Sequence, residues 1–267
     1  MLWDVDYTLV NAGGLGTRLY EVVFREMFGR ELPAVAPKAG RTDRAIILDT
    51  LALAGVASPG EMVDGFLAAL ARLSASGTVR ADVRALPGAA AAIDELALTG
   101  TRQSVLTGNI RPLAALKLGL AGLGDRLDLD VGAYGDVHEV RAELVPAARL
   151  AADRAYGAKF AGHSTVLVGD TPLDVQAALV TGARAVGVAT GSYSAASLAA
   201  AGAHVVLPDL TDTGLVVAAV TGLTASPAGQ WPHPLPAARA ARAARAAPRL
   251  APGLPAERLR AQHQSCR

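Results

Sequence analysis

Short apolar runs that end in small or acidic residues recur along the chain. They are Leu2 to Val5, Gln103 to Leu106, Leu127 to Val131, Thr165 to Val168, Ala185 to Val188 and His204 to Leu207. "VLVG" and "AVGVA" are apolar at consecutive positions, the pattern of strands covered on both faces. Between the later runs the apolar residues take up helical spacing. Strand and helix in alternation predict an α/β fold with a parallel sheet and helices on both sides.

From Gly13 to about Asp82 the alternation stops and only helical patterns occur. Leu15, Leu19, Val22, Val23 and Met27 share one helical face, and Gly29 ends that run. "TDRAIILDTLALAG" predicts a second helix from Thr42 to about Ala54. "SPGEMVDGFLAALARL" predicts a third, with Ser58 and Glu61 in capping-box spacing and Pro59 at the first helical position. The expected organisation is a core of residues 1–12 and 83–223 with an all-helical insert at 13–82. "ALPG", Ala85 to Gly88, is expected to open the helix that leads back to the sheet.

After Leu223 the pattern fades into Pro, Ala and Arg. Prolines at 227, 232, 234 and 236 block a helix there, and the arginines of "AARAARAARAA" build no apolar face. Residues 224–267 are therefore expected to be disordered. Charge sharpens this division. The whole chain is +1, but Ala225 to Arg267 holds seven Arg and one Glu, +6, which leaves −5 for the rest. The alternative use of such a tail, a basic arm for nucleic acid or anionic lipid, is the weaker expectation. The one cysteine, Cys266, excludes an intrachain disulfide and a thiolate metal site. That suits a reducing, cytoplasmic setting. No secretory leader and no uninterrupted membrane-length apolar stretch is seen.

Candidate chemistry concentrates at strand ends, where open parallel sheets gather their ligands. The first strand ends in Asp4-Val5-Asp6-Tyr7-Thr8. Alternation points residues i and i+2 the same way, so two carboxylates would repel there unless a cation balances them or the strand turns at Asp6-Tyr7-Thr8. "VLVGDTPLD" is a second strand ending in an acid, Asp170, with Asp174 on the helix that follows. If both strands are central, Asp4, Asp6 and Asp170 converge, and their oxygens suit Mg²⁺. In "SVLTGN" the hydroxyl of Thr107 and the N–H groups of Gly108 and Asn109 could hold an anion at a helix N-terminus. A phosphate site also needs a cation from the chain, which has three lysines: Lys38, Lys117 and Lys159.

"LWDVDYT", the strand ending at Thr107 and "GDTPLD" together resemble the motifs of the haloacid dehalogenase-like hydrolase superfamily, in particular its phosphoglycolate-phosphatase-like branch. The resemblance covers Leu2 to about Leu223. It implies a Rossmann-like core and identifies the insert with a helical cap, whose "GRTD" segment, Gly40 to Asp43, is similar to the part that faces the active site. It implies that Asp4 is the nucleophile and Asp6 the general acid and base. It implies Mg²⁺ on Asp4, the carbonyl of Asp6 and Asp170, with Asp174 orienting the metal shell or the cation, and Thr107 against the phosphoryl group. Two departures stand out. Tyr7 replaces a common glycine, and the usual third-motif lysine is absent at its expected place, where Arg141 stands. On helix geometry Lys117 is expected to point away and Lys159 to lie at the opposite edge. Arg41 is taken with the phosphate-binding residues, Arg44 and Arg18 being further candidates from the insert. The first strand has only three residues before Asp4, which leaves a start further upstream open.

The expected activity is Mg²⁺-dependent hydrolysis of a small phosphomonoester, phosphoglycolate-like or a sugar phosphate, through an aspartyl-phosphate. The partner is a small phosphate ester rather than a membrane or a nucleic acid. A phosphomutase, a 2-haloacid dehalogenase and a non-catalytic binding protein are the alternatives; Asp6 argues against the dehalogenase, which needs no second carboxylate.

Overall fold

The computed structural model describes residues 1–225. Five parallel strands form the main sheet in the order β4-β1-β5-β6-β7: β1 (Leu2–Trp3), β4 (Ser104–Val105), β5 (Val166–Gly169), β6 (Arg184–Val188) and β7 (Val205–Leu207). The crossover helices α4 (Ala89–Leu98), α5 (Arg111–Leu120), α6 (Leu144–Tyr156), α7 (Pro172–Val180), α8 (Ala195–Ala200) and α9 (Thr213–Ala225) cover both faces. Side-chain alternation splits the strands cleanly. Trp3, Val105, Val166 and Val168 enter one apolar core with α4, α5 and α9. Leu2, Leu106 and Leu167 enter a second with α6, α7 and α8. Burying both faces is what the continuous apolar runs require.

Two elements escaped the periodicity. A two-residue antiparallel ribbon, β2 (Val10–Asn11) with β3 (Arg84–Ala85), closes the base of the helical insert. It is too short to carry a pattern. The insert itself consists of α1 (Leu15–Phe28), α2 (Asp43–Leu53) and α3 (Pro59–Ala75), whose buried faces belong to the same apolar core as Trp3 and α5.

Two expectations fail locally. Leu127 to Val131 is not a strand. Asp128 accepts a hydrogen bond from its neighbour Asp130 N–H through its side chain and folds Leu129–Val131 into a 3₁₀ turn. Only a bridge between Leu106 and Ala133 continues the sheet past β4. The capping box at Ser58 also does not form. Ser58 sits at φ 49°, and its hydroxyl makes no cap bond; only its carbonyl accepts, from Glu61 N–H at 3.0 Å. Of the tail expected at 224–267, Thr224 and Ala225 instead complete α9, because the apolar run of that helix carries its last turn past Leu223; residues from 226 onward lie outside the described part.

Candidate active site

Asp4 stands one residue past β1 at the carboxyl edge of the sheet, with its N–H bonded to Val168 O at 2.8 Å. The chain then turns back. Leu9 and Val10 N–H groups both bond Val5 O at 3.0 Å, and Tyr7 N–H bonds Val10 O at 2.8 Å. The expected turn at Asp6-Tyr7-Thr8 is therefore present. It separates the two carboxylates by conformation, so they do not stand side by side on one strand. Tyr7 occupies the left-handed region at φ 56°, where a glycine would be unstrained, and its ring is turned out to solvent.

A cavity of about 320 Å³ opens above this edge and is lined by Asp4, Asp6, Thr107, Gly108, Asn109, Arg141, Asp170 and Arg41 among others. The sequence-derived candidates thus meet around one space, except Asp174, which lies behind it. Their arrangement falls into two halves.

In the first half Arg141 is buried, and its Nη2 donates to Asp4 Oδ1 at 2.6 Å and Leu106 O at 3.1 Å. The same nitrogen lies 2.6 Å from Asp174 Oδ1, an ion-pair contact off the hydrogen-bond line. Asp174 Oδ2 is engaged in a capping box with Thr171 at the start of α7. Asp170, at the end of β5, accepts only a long bond from Thr8 at 3.5 Å, and a side chain at Gly191 would come within 1.8 Å of its Oδ2. Asp4, Asp170 and Asp174 each place a carboxylate oxygen within 4.8 Å of the others. Burial pushes the Asp4 carboxyl up to about 7, against the pull of Arg141 and with repulsion from Asp174 and Asp6. Burial, then the charges of Asp4 and Asp174, push Asp170 up to about 8. Three buried acids against one guanidinium form a set of oxygen donors with surplus negative charge, which fits a hard divalent cation. Asp4 and Asp170 line the cavity and Asp174 does not, so Asp4 and Asp170 are the side chains best placed to hold it.

The second half contradicts the expectation for Lys117. Its side chain does not point away: it is buried, and Nζ donates to Asp6 Oδ1 at 2.8 Å, Asp6 Oδ2 at 2.6 Å and Asn109 Oδ1 at 2.7 Å. Lys117 is ten residues past Thr107, but α5 begins only at Arg111. Lys117 is six residues into it, roughly 9 Å of rise, and helical side chains tilt back toward the N-terminus. A sequence signal was available. Leu113, Ala114, Lys117 and Leu118 form the buried stripe of α5, so the lysine had to be buried and paired. Asn109 Nδ2 completes the set with bonds to Asp6 Oδ2 at 2.7 Å and Thr107 Oγ1 at 2.8 Å. Burial pushes the Asp6 carboxyl up, but the charge and hydrogen bonds of Lys117, with the Asn109 bond, outweigh it and hold Asp6 below its ordinary value. Lys159 does stay at a distance, exposed and beside Asp153.

The "GRTD" segment docks on the core through backbone. Asp43 N–H donates to Gly108 O at 2.6 Å, and Arg44 N–H to Gly135 O at 2.9 Å. A side chain at Gly108 would collide with Arg41 O at 1.9 Å. Motif reading placed the segment that holds Asp43 at the site but gave the Asp43 side chain no role. Its carboxylate accepts from Tyr20 O–H at 2.7 Å and from Ile110 N–H at 2.8 Å, so the N-terminus of α5 already carries an anion from this chain. Arg41 lines the cavity, but its guanidinium turns to Asp49 at 2.6 Å and to the carbonyls of Pro37 and Ala45. Arg44 is likewise taken, by Asp136 O and Asp64, and Arg18 by Gly13 O.

The model of the haloacid dehalogenase-like hydrolase family matches residues 1–179, two thirds of the sequence. The chain belongs to this family and is a hydrolase by it. Among solved structures it is similar to a hydrolase from Pseudomonas syringae, at 22% identity and a TM-score of 0.55, covering 79% of this chain and 93% of that one. It is also similar to a predicted phosphatase from Clostridium acetobutylicum, at 18% identity and a TM-score of 0.58, covering 81% and 96%. A phosphonoacetaldehyde hydrolase-like protein from Oleispira antarctica matches at 18% identity and a TM-score of 0.57, covering 86% and 94%. These likenesses carry the fold alone. No curated protein matches the chain. Among the described residues no helix is long and apolar enough to cross a membrane.

Proposed function

We propose that the protein is a Mg²⁺-dependent phosphatase for small phosphomonoesters, with α1–α3 serving as a cap over the core. The observation that carries this reading is the pair Asp4 and Asp6 on one cavity in opposite electrostatic settings. Asp4 faces Asp170 and Arg141; Asp6 faces Lys117 and Asn109.

Asp4 attacks phosphorus in line with the ester oxygen. The P–O ester bond breaks as the Asp4 Oδ–P bond forms, and the leaving oxygen takes a proton from Asp6. Asp6 rests as a carboxylate, so it must first accept a proton, which a monoanionic ester can bring. In the second displacement Asp6 takes a proton from water while the water oxygen attacks phosphorus and frees Asp4. Arg141 and Thr107 hold phosphoryl oxygens, with the backbone at Gly108 and Asn109 as the neighbouring wall. Mg²⁺ held by Asp4, the Asp6 carbonyl and Asp170 would offset the repulsion between the anionic nucleophile and the anionic ester. Asp174 fixes Arg141. Arg41, paired with Asp49, shapes the wall. The single cysteine supports a reducing, cytoplasmic setting.

Phosphate release from a panel of small phosphate esters, in Mg²⁺ and in EDTA, tests the reading. Hydrolysis of at least one ester in Mg²⁺ and its loss in EDTA is the expected result. Equal rates in both overturn it, and halide release from a 2-haloacid would put the dehalogenase in its place. Turnover that needs a bisphosphate activator would put the phosphomutase there.

A further inference from the structure

We propose that Lys117 is a positioning residue for proton transfer at the leaving oxygen: with Asn109 it locks the Asp6 carboxylate in the one orientation that serves the ester oxygen. This rests on the phosphomonoesterase reading. Asp6 lies in a tight turn held by backbone bonds of its neighbours, and the side-chain bonds recorded for its carboxylate come from Lys117 and Asn109. These bonds close into a ring. Lys117 Nζ reaches both oxygens of Asp6 and the carbonyl of Asn109; Asn109 Nδ2 returns to Asp6 Oδ2 and ties the ring to Thr107 Oγ1. An ammonium has three N–H donors, and all three are spent on these contacts. Lys117 therefore has none left for a phosphoryl oxygen, unlike Arg141 on the far side of the cavity. The amide of Asn109 can stand only one way round, because Lys117 offers only donors and Asp6 only acceptors.

Asn109 and Thr107 lie on the loop between β4 and α5, and Lys117 ties them and Asp6 to α5 itself, so one anchor of the proton-transfer group is on a rigid element. No bond to Lys117 forms or breaks. As the P–O ester bond breaks, the proton moves from Asp6 to the leaving oxygen, and Lys117 keeps its charge throughout.

The role predicts a dependence on the leaving group. Nitrophenolate departs without a proton; an alkoxide does not. Lys117→Met should lower kcat/KM on an alkyl phosphate such as glycerol phosphate by about a hundredfold or more, the usual worth of general acid catalysis. On p-nitrophenyl phosphate the loss should stay below about tenfold. Lys117→Arg keeps the charge, but its planar fork cannot meet the same three acceptors. It should fold and still lower the alkyl-to-nitrophenyl ratio of kcat/KM. Equal losses on both esters would make Lys117 a structural or phosphoryl-binding group and overturn the proposal. An unchanged ratio in a folded Lys117→Arg would overturn it too, and that variant decides the matter if Lys117→Met fails to fold. A wild-type protein that hydrolyses neither ester in Mg²⁺ would instead bring down the phosphatase reading itself.

Discussion

The two sides of the cavity solve the problem of buried charge differently. On the Asp4 side, three buried carboxylates face a single guanidinium, and two of them are driven toward neutrality in the absence of further positive charge. On the Asp6 side, Asp6 meets the Lys117 ammonium directly, with Lys38 and the Asp43 carboxylate as further charges nearby, and Asp6 is held below its ordinary value. The first side carries surplus negative charge that a cation could balance. The second brings lysine charge directly onto its acid. On the proposed reading, a nucleophile beside a metal and a proton carrier beside the ester oxygen would need such opposite environments.

Asp4→Asn should give the largest effect on this contrast, because it removes the proposed nucleophile and one acid from the unbalanced side. Turnover should fall at least a thousandfold, the order seen when a covalent nucleophile is lost, while the circular dichroism spectrum stays that of the wild type. Activity within tenfold of wild type would end the nucleophile assignment.

Arg141→Ala should cost on the order of a hundredfold in kcat, as loss of one transition-state donor does. It also leaves Asp4 and Asp174 buried without their partner, so a drop in stability of about 3–5 kcal/mol is expected with it. Arg141→Lys separates the two effects: it keeps a charge against Asp4 and should retain part of the activity. A fully active Arg141→Ala would move the phosphate cation elsewhere.

Asp170→Ala tests whether the unbalanced side is the one that binds metal. Added Mg²⁺ should raise the wild-type melting temperature by a few degrees and leave this variant almost unmoved, since a ligand stabilises only the form that holds it. Equal Mg²⁺ shifts in both proteins would place the cation off Asp170.

The smallest effect concerns Asp43, which joins the balanced side from the insert and faces Tyr20, the Ile110 N–H, Lys117 and Asp6. Burial pushes its carboxyl up to about 6, although Tyr20, Ile110 and Lys117 pull the other way. A folded-state value above the ordinary 3.8 means that the unfolded chain loses its proton first. This group's contribution to stability is then fully present below about pH 4 and is lost as the pH rises through about 6. Asp43→Asn carries no such titration. The difference in melting temperature, variant minus wild type, should therefore climb by a few degrees between pH 4 and pH 7. A flat difference would show that the Asp43 carboxyl titrates at an ordinary value.

Element order, the two-faced burial of the sheet and the acids at the ends of β1 and β5 could all be read from the chain, because apolar period and residue identity are local properties. The helices α1 to α3 were legible for the same reason; Thr42 caps the start of α2 and Gly29 the end of α1. Tertiary structure decided the rest. The run Leu127 to Val131 has strand composition, yet it lies at the rim beside β4, where no further strand pairs with it and the Asp128 turn wins. The partner of Asp6 depended on where α5 starts and how it is rotated against the sheet, which no motif records. The docking of Asp43 on α5 links residues 67 positions apart, and Gly108 permits it by having no side chain to hold Arg41 away. Sequence alone fixed which charges the chain would bring to the carboxyl edge. Packing alone fixed which of them would cancel and which would be left in surplus, because cancellation of buried charge depends on distances of 2.6–2.8 Å that only the folded chain sets.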